Sequence, residues 1–212
     1  MMKALIDRLR ARWFSLTSSC RDDNGSDRCI EGLIASYSEP HRAYHTLAHL
    51  DFVFAMLDAH AAKAREPARL AFACWYHDVI YDPRAADNEA RSAERATEEL
   101  TAIGVMPDVV KRIDRLIRAT ATHQTADADS DDALFLDADF SILGAAPEIY
   151  AAYVKGVRFE YGHVDDAGWK AGRGAFLKKA LAAGRLFRTD VFETAYGAQA
   201  RANVTAELKA LG

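Results

Sequence analysis

Apolar residues recur at helical spacing in segment after segment of this chain, and this periodicity constrains its fold more than any other feature. Val110, Ile113 and Ile117, for example, fall on one face of a helix that begins at Pro107. No alternating apolar and polar run longer than a few residues accompanies them, and half-buried strands need such alternation. The pattern therefore predicts an all-α fold.

Prolines, glycines and polar clusters divide the chain into separate helical segments. They predict about eight to ten helices in a single helical bundle, with one domain over residues 1–212. The predicted helices lie near residues 1–16, 30–37, 46–63, 67–76, 88–103, 107–117, 131–143 and 147–160, and in the Ala- and Leu-rich remainder. The polar segments 17–27 and 161–174 are predicted to be a loop and a flexible connector.

Composition and charge give no support to several classes of partner. The formal net charge is −4, so the sequence gives no electrostatic reason to expect a nucleic-acid partner. The three cysteines form no C-x-x-C pair, which favours reduced thiols. The amphipathic N-terminus does not resemble a signal peptide, and no apolar stretch is long enough to span a membrane. We therefore expect a cytoplasmic protein without a membrane partner, and leave open whether it forms a homodimer.

The dipeptide His77-Asp78 follows directly on the apolar run "ARLAFACWY". A bare carboxylate in such surroundings costs several kcal/mol, roughly, unless it is paired or bound to a metal. His49, beside another apolar stripe, and Asp137 or Asp139, in the apolar "FLDADFS", are the candidate partners. Two imidazole nitrogens and two carboxylate oxygens suit a divalent cation such as Mn, Fe, Co, Ni or Zn. Coordination positions left open would then hold water and substrate.

In the order and spacing of His49, His77-Asp78 and Asp137, the sequence resembles the HD superfamily of metal-dependent phosphohydrolases. More narrowly, it is similar to the predicted HD phosphohydrolases, a subgroup with an unassigned substrate. The resemblance spans nearly the whole chain. It is carried by "RAYHTLAH" (42–49), "WYHDVIYDP" (75–83), "DNEARSA" (87–93), "LDADFSILG" (136–144), "RFEY" (158–161) and "ARANVTAEL" (200–208).

The resemblance implies an HD-domain-like helical fold in which His49, His77, Asp78 and Asp137 bind one divalent metal ion. Asp139 stays open as the fourth ligand, because residues two apart on a helix point about 200° apart and do not both face one ion. The implied activity is that of a phosphomonoesterase or pyrophosphohydrolase that uses a metal-activated water. The expected substrate is a small phosphorylated metabolite, with a nucleotide as the favoured class. The choice among Mn, Co, Ni, Fe, Zn and Mg is open.

Other residues take roles around such an ion. Asp78 would orient or deprotonate the water as well as bind the metal. Arg42 and Arg158 are the candidate phosphate contacts, because a guanidinium binds phosphate through two parallel hydrogen bonds. Each arginine viewed alone is also explained as a surface ion pair. His45 would donate to the substrate or hold the water, or else support a metal ligand.

Asp82 and Glu89 are further candidates for catalytic roles. Asp82 lies in "HDVIYD", which resembles the "HD-x-x-E-D" run of HD enzymes that hydrolyse alarmones, but Tyr81 replaces the acidic residue. The alternative for Asp82 is a helix end before Pro83. Glu89 is a candidate general acid, although the helix dipole alone explains a carboxylate in a first helical turn.

The number of histidines separates the subclasses. Dinuclear HD proteins, including cyclic-nucleotide phosphodiesterases and di-iron oxygenases, place two more histidines between the His-Asp pair and the last aspartate. Between Asp78 and Asp137 this sequence has only His123. A mononuclear hydrolase is therefore favoured, with His123 as a substrate-side donor or a helix-end histidine. An iron-dependent HD-type oxygenase and a non-catalytic module that binds a metal or a nucleotide are the alternatives.

Overall fold

The computed structural model describes residues 2–20, 23–125 and 130–212. Ten α-helices and two short 3-10 helices lie in these described ranges, and none of their residues belongs to a strand. The all-α prediction is confirmed. The chain divides into two compact units, Met1–Ala126 (unit 1) and Asp127–Gly212 (unit 2). The single domain over residues 1–212 stays a prediction.

Unit 1 is built around a central helix that is buried along most of its length. Its helices are α1 (Met2–Thr17), α2 (Asp23–Ser36), α3 (Leu47–Ala59), α4 (Pro67–Tyr76), α5 (Asn88–Ala102) and α6 (Pro107–Thr120), with a 3-10 turn at Ala61–Lys63. Helix α4 packs against α3, α5 and α6. The apolar character of "ARLAFACWY" is explained by these three neighbours, because a helix contacted on several sides needs apolar residues on several sides.

Most helix boundaries in unit 1 follow from local chemistry that the sequence displays. Pro67 and Pro107 open α4 and α6, in the first turn, where the missing N–H removes no hydrogen bond. Thr46 caps α3, since its hydroxyl accepts from the Ala48 N–H at 3.3 Å. Helix α5 ends before Gly104, whose φ of 86° suits glycine best.

The predicted loop at residues 17–27 is wrong in part, because α2 already begins at Asp23. The polar residue Ser26 is buried there, and its hydroxyl accepts from the Trp13 Nε1–H at 2.9 Å. Ser26 Oγ also lies 2.8 Å from Thr17 Oγ1. Hydrogen bonds to α1 thus allow the polar start of α2 to be buried. The periodicity of apolar residues does not predict such hydrogen bonds.

From residue 130 onward, unit 2 forms four helices, α7 (Asp131–Phe140), α8 (Pro147–Glu160), α9 (Asp166–Ala182) and α10 (Asp190–Leu211), and a 3-10 turn at Ser141–Gly144. Helix α10 packs against α9 and against the 3-10 turn. Asn203 of α10 stabilises the contact with the 3-10 turn, since its amide donates to the carbonyls of Leu143 and Ala145, each at 2.8 Å.

The predicted connector at residues 161–174 is wrong for most of its length, because α9 begins at Asp166. Asp165 caps this helix by accepting from the Gly168 N–H at 2.7 Å. Further along, Arg173 is buried although it is flanked by glycines. The glycine-rich sequence therefore does not indicate this helix, whose buried face carries the charged Arg173.

Arg173 belongs to a buried cluster that joins α8, α9 and α10. Its Nε and Nη2 donate to the two carboxylate oxygens of Glu207 at 2.7 and 3.0 Å, and its Nη1 donates to the Tyr153 hydroxyl at 2.9 Å. The Tyr150 hydroxyl donates to the same Glu207 carboxylate. We call these four residues the Arg173–Glu207 cluster. Donors and acceptors match within it, as a stable buried ion pair requires.

Candidate functional site

The His77-Asp78 dipeptide lies at the C-terminal end of α4 rather than inside it. His77 is the residue that follows the last helical residue, Tyr76, and Asp78 begins the turn beyond. His77 Nδ1 lies 2.8 Å from the carbonyl oxygen of Cys74. A carbonyl only accepts, so Nδ1 carries the proton and donates. In the neutral imidazole the lone pair is then on Nε2.

His49, in the first turn of α3, brings a second imidazole nitrogen to the same point. Its Nε2 lies 3.0 Å from His77 Nε2. Asp78 Oδ2 lies 3.2 Å from His77 Nε2 and 3.6 Å from His49 Nε2. Both imidazoles are buried, and the Asp78 side chain keeps 18% of its surface exposed. We call these three residues the His–Asp cluster.

The spacing within the His–Asp cluster fits a metal ion. Ligand atoms about 2.1 Å from one ion are roughly 3.0 Å apart in octahedral and 3.4 Å apart in tetrahedral geometry. The three observed separations of 3.0, 3.2 and 3.6 Å surround these values. An ion bound by these three atoms would keep further coordination positions open, which is the arrangement of catalytic rather than structural sites.

His45 reaches the cluster from the residues that precede α3. That helix begins at Leu47, so His45 does not share a helical face with His49. Its Nε2 nevertheless lies 4.0 Å from Asp78 Oδ2. The His45 ring also packs on Tyr81, with centroids 4.2 Å apart. His45 is thus positioned beside the carboxylate, as either of its two predicted roles requires.

Arg42 has a different environment from the one expected of a phosphate contact. Its side chain is fully buried, and its Nε donates to Glu39 at 2.9 Å. Nη1 donates to the carbonyls of His45 and Asp78 at 3.2 and 2.7 Å, and Nη2 to the carbonyl of Val79 at 3.0 Å. The guanidinium therefore binds backbone at the end of α4 instead of facing a substrate.

Tyr37 supports the same turn, a role that its place in the predicted helix near residues 30–37 does not indicate. Its hydroxyl donates to the Trp75 carbonyl at 3.1 Å and accepts from the Asp78 N–H at 3.3 Å. Burial, with the negative charge of Asp78, raises the pKa of Tyr37 well above its ordinary value, so the hydroxyl keeps its proton. No sequence pattern distinguishes this tyrosine from a purely apolar one.

Asp82 is exposed in the turn that follows the dipeptide. Its Oδ1 accepts from the Arg84 N–H at 2.9 Å, and its own backbone exchanges two hydrogen bonds with the Asn88 side chain. These contacts fit the turn-forming alternative for Asp82 rather than a catalytic role. Glu89 lies in the first turn of α5, where the sequence places it, and its role as a general acid stays a prediction.

His123 and Arg158 occupy positions that match their structural alternatives. His123 comes just after α6 with a φ of 51°, the left-handed conformation of a residue that ends a helix. Arg158 of unit 2 donates to Asp166 at 2.8 Å and to the Tyr161 carbonyl, and lies over the Trp169 ring. Arg158 is thus a partly exposed ion pair.

Asp137 is engaged by the segment that joins α9 to α10. Its carboxylate accepts from the N–H groups of Arg188 and Thr189 at 2.8 and 2.7 Å and from the Thr189 hydroxyl at 2.6 Å. Burial raises the pKa of Asp137, which these hydrogen bonds oppose. About three of the roughly four lone-pair positions of this carboxylate are therefore in use. Asp139 follows two residues later and is partly exposed.

Glu193 completes the support of the same segment from within α10. One of its oxygens accepts from the N–H groups of Leu186 and Phe187, at 3.0 and 2.9 Å. Together with Asp137, it binds four consecutive backbone N–H groups, those of residues 186–189. These contacts tie Asp137 to the segment between α9 and α10, and its role as a metal ligand stays a prediction.

Comparisons with protein-family models, with curated proteins and with solved structures find no match to this chain. The likeness to the HD superfamily therefore depends on the motifs quoted above. Among the helices of the described residues, none is both long enough and apolar enough to cross a bilayer.

Proposed function

We propose that the protein is a metal-dependent phosphohydrolase whose ion is bound by His49, His77 and Asp78. The observation that carries this proposal is the convergence of two imidazole nitrogens and one carboxylate oxygen within 3.6 Å of each other. The His77 Nδ1 donation to the Cys74 carbonyl supports it, because metal-binding histidines are usually oriented by such a bond.

The fourth ligand stays open between Asp137 and Asp139. The Asp137 carboxylate already accepts three hydrogen bonds from Arg188 and Thr189, and an ion would have to compete with them. Asp139 was the alternative that the sequence left open. Its helix direction differs from that of Asp137 by about 200°, so the two residues do not both face one ion.

The bound ion would lower the pKa of a water molecule and polarise a phosphoryl oxygen. Asp78 would bind the ion through Oδ2, and its second oxygen would accept a proton from the nucleophile. His45, with Nε2 at 4.0 Å from Asp78, would donate to the phosphate or hold the water. Since Arg42 and Arg158 are engaged elsewhere, the phosphate would depend on the ion and on His45 more than on arginine.

The substrate class follows from the same considerations. A site with one cation and few free guanidinium groups suits a small phosphorylated metabolite better than a polyanion, and a nucleotide is the favoured example. The net charge of −4 agrees with a ligand that is attracted locally and not by the field of the whole protein.

The test is phosphate release by purified, chelator-treated protein supplied in turn with Mn, Co, Ni, Fe, Zn and Mg. The panel consists of p-nitrophenyl phosphate and of nucleoside mono-, di- and triphosphates. We expect turnover of at least one substrate with at least one ion, and loss of that turnover in His77→Ala. Metal content measured on the same samples reports whether the ion is bound.

His60→Ala is the matched control, because His60 follows the end of α3, roughly 16 Å along the helix axis from His49. This variant should keep both the ion and the activity. A wild-type protein that binds no ion would contradict the proposal as a whole. Tight ion binding without any product would instead identify the non-catalytic module.

One observation favours a second candidate function. Two histidines and one carboxylate on one side of an ion are also the ligand set of non-haem iron oxygenases. The candidate is an iron-dependent oxygenase with His49, His77 and Asp78 as ligands. Oxygen consumption by anaerobically iron-loaded protein, in the presence of candidate organic substrates, would support this function. Failure of iron to support oxygen consumption, together with phosphate release, would exclude it.

A further inference from the structure

The buried Arg42 links the two chain segments that carry the His–Asp cluster. One segment, through His45, leads into α3 and His49, and the other is the turn at His77 and Asp78. Arg42 Nη1 donates to the carbonyl of His45 in the first segment and to the carbonyl of Asp78 in the second. A single guanidinium nitrogen thus joins both segments.

The geometry points to Arg42 as a positioning residue that sets the separation of His49 from His77 and Asp78. Tyr37 supports the same arrangement by binding the turn at Asp78. This inference rests on the proposed function, because the consequence of correct positioning is affinity for the ion. It assigns Arg42 no contact with a substrate.

The end of α4 explains why a cation is suitable at this place. The last carbonyls of a helix have no partners within it, and they carry the negative end of the helix dipole. Arg42 donates to the carbonyls of Asp78 and Val79, directly after that end. A guanidinium is the side chain that can serve several carbonyls in fixed directions at once. A lysine ammonium lacks this planar fork.

The surroundings hold the guanidinium itself in place. Its carbon lies 5.1 Å from the centre of the Tyr37 ring and 5.4 Å from that of the Tyr81 ring. Glu39 pairs with its Nε. Tyr37 in turn accepts from the Asp78 N–H and donates to the Trp75 carbonyl. The turn that presents Asp78 is therefore bound on its N–H side by Tyr37 and on its carbonyl side by Arg42.

Unit 1 contains a matched control for Arg42. Arg69 is buried to the same extent and also pairs with a glutamate three residues earlier, Glu66, at 3.0 Å. It lies in the first turn of α4, roughly 12 Å along the helix from His77. Arg42→Met and Arg69→Met therefore remove the same chemical group from equally buried positions, and only the first removes the link between the two segments.

The experiment measures the dissociation constant for Mn and for Zn of the wild type, Arg42→Met, Arg42→Lys, Arg69→Met and Tyr37→Phe. We expect both Arg42 variants to weaken ion binding by about 10- to 100-fold, as loss of a group that orients a metal ligand does. Arg69→Met should stay within about twofold. Tyr37→Phe, which removes one hydroxyl and keeps the ring, should weaken binding by about three- to tenfold.

Amide hydrogen exchange on the ion-free proteins separates this inference from the proposed function. Arg42→Met should accelerate exchange in residues 77–80, and Arg69→Met should not. If the wild type binds no ion, the proposed function fails and the exchange result alone decides on the link. Unchanged exchange in the Arg42 variants, or equal loss of ion affinity in Arg69→Met, would overturn the inference. If Arg42→Met does not fold, Arg42→Lys, which keeps the charge but lacks the planar fork, provides the comparison with Arg69→Met.

Discussion

Two buried polar clusters in this chain differ in the chemistry of the atoms that they bring together. In the Arg173–Glu207 cluster of unit 2, both carboxylate oxygens of Glu207 accept from Arg173, and tyrosine hydroxyls complete the set. In the His–Asp cluster of unit 1, the converging atoms are two imidazole nitrogens and a carboxylate oxygen. The first cluster contains its own cation, the Arg173 guanidinium, whereas the contacts of the second bring together nitrogen and oxygen atoms of the kinds that bind metal ions.

The difference teaches that burial of charged or titratable groups does not by itself indicate function. Arg173 and Glu207 are both buried, yet their donors and acceptors match, so they can serve the fold alone. The two clusters are alike in burial and differ in whether a cationic side chain is among the converging groups.

The largest expected effect is the loss of the ion from the unit 1 cluster. His77→Ala should lower ion affinity by more than about 100-fold, because it removes one of the three proposed ligands and leaves only His49 and Asp78 in the cluster. Calorimetric titration with Mn or Zn measures this change. Arg173→Met, which breaks the other cluster, should bind the ion like the wild type at a temperature where it is folded. Equal loss of ion affinity in both variants would contradict the claim that only the His–Asp cluster binds the ion.

The second prediction concerns stability in unit 2. Arg173→Met leaves Glu207 buried without its cation and should lower the free energy of unfolding by about 3–5 kcal/mol. The double variant Arg173→Met/Glu207→Leu should recover part of this loss, because it removes the uncompensated charge. Urea denaturation followed by circular dichroism measures both. A single variant as stable as the wild type would show that the pair contributes nothing.

The third prediction compares Asp137 with Asp139 through isosteric substitutions. Asp137→Asn should lower the free energy of unfolding by about 1–3 kcal/mol, since its new amide would face the N–H donors of Arg188 and Thr189. Asp139→Asn should change stability little and weaken ion binding. Denaturation and metal titration on both variants provide the measurement. The opposite assignment of effects would favour Asp137 as the fourth ligand.

The smallest expected effect concerns a buried thiol in unit 1. Burial, followed by the charge of Glu99, raises the pKa of Cys29 from its ordinary value of 9.0 to about 11. The unfolded thiol loses its proton at lower pH than the folded one, so the free energy of unfolding should fall as pH rises from about 9 towards 11. Urea midpoints at several pH values, with Cys29→Ala as the control, measure this slope. An equal slope in the control would assign the effect to other groups.

The helices were predictable where the sequence carries their boundary chemistry, as at Pro67, Pro107 and Pro147, each of which opens a helix. The start of α2 and the whole first half of α9 were not. There, polar or glycine-rich stretches become helical because Ser26 and Arg173 find partners on other helices. Such pairings depend on tertiary contacts, which hydrophobic periodicity does not encode.

For the candidate site, the apolar surroundings of His49 and His77-Asp78 predicted that these residues meet, and within unit 1 they do. The environment of Arg42 was not predictable. A guanidinium binds a phosphate and a row of backbone carbonyls through the same donors. Only the position where α4 ends, one residue before His77, decides which of the two acceptors it meets.

The four N–H groups held by Asp137 and Glu193 affect how a protease meets the segment between α9 and α10. Residues 186–189 have no regular secondary structure, yet Leu186, Phe187 and Thr189 are buried. Trypsin needs an extended, accessible chain to cut after Arg185 or Arg188, so it must wait until these hydrogen bonds open. The rate of cleavage there would therefore report how often these hydrogen bonds of unit 2 open, and not the flexibility of an unstructured linker.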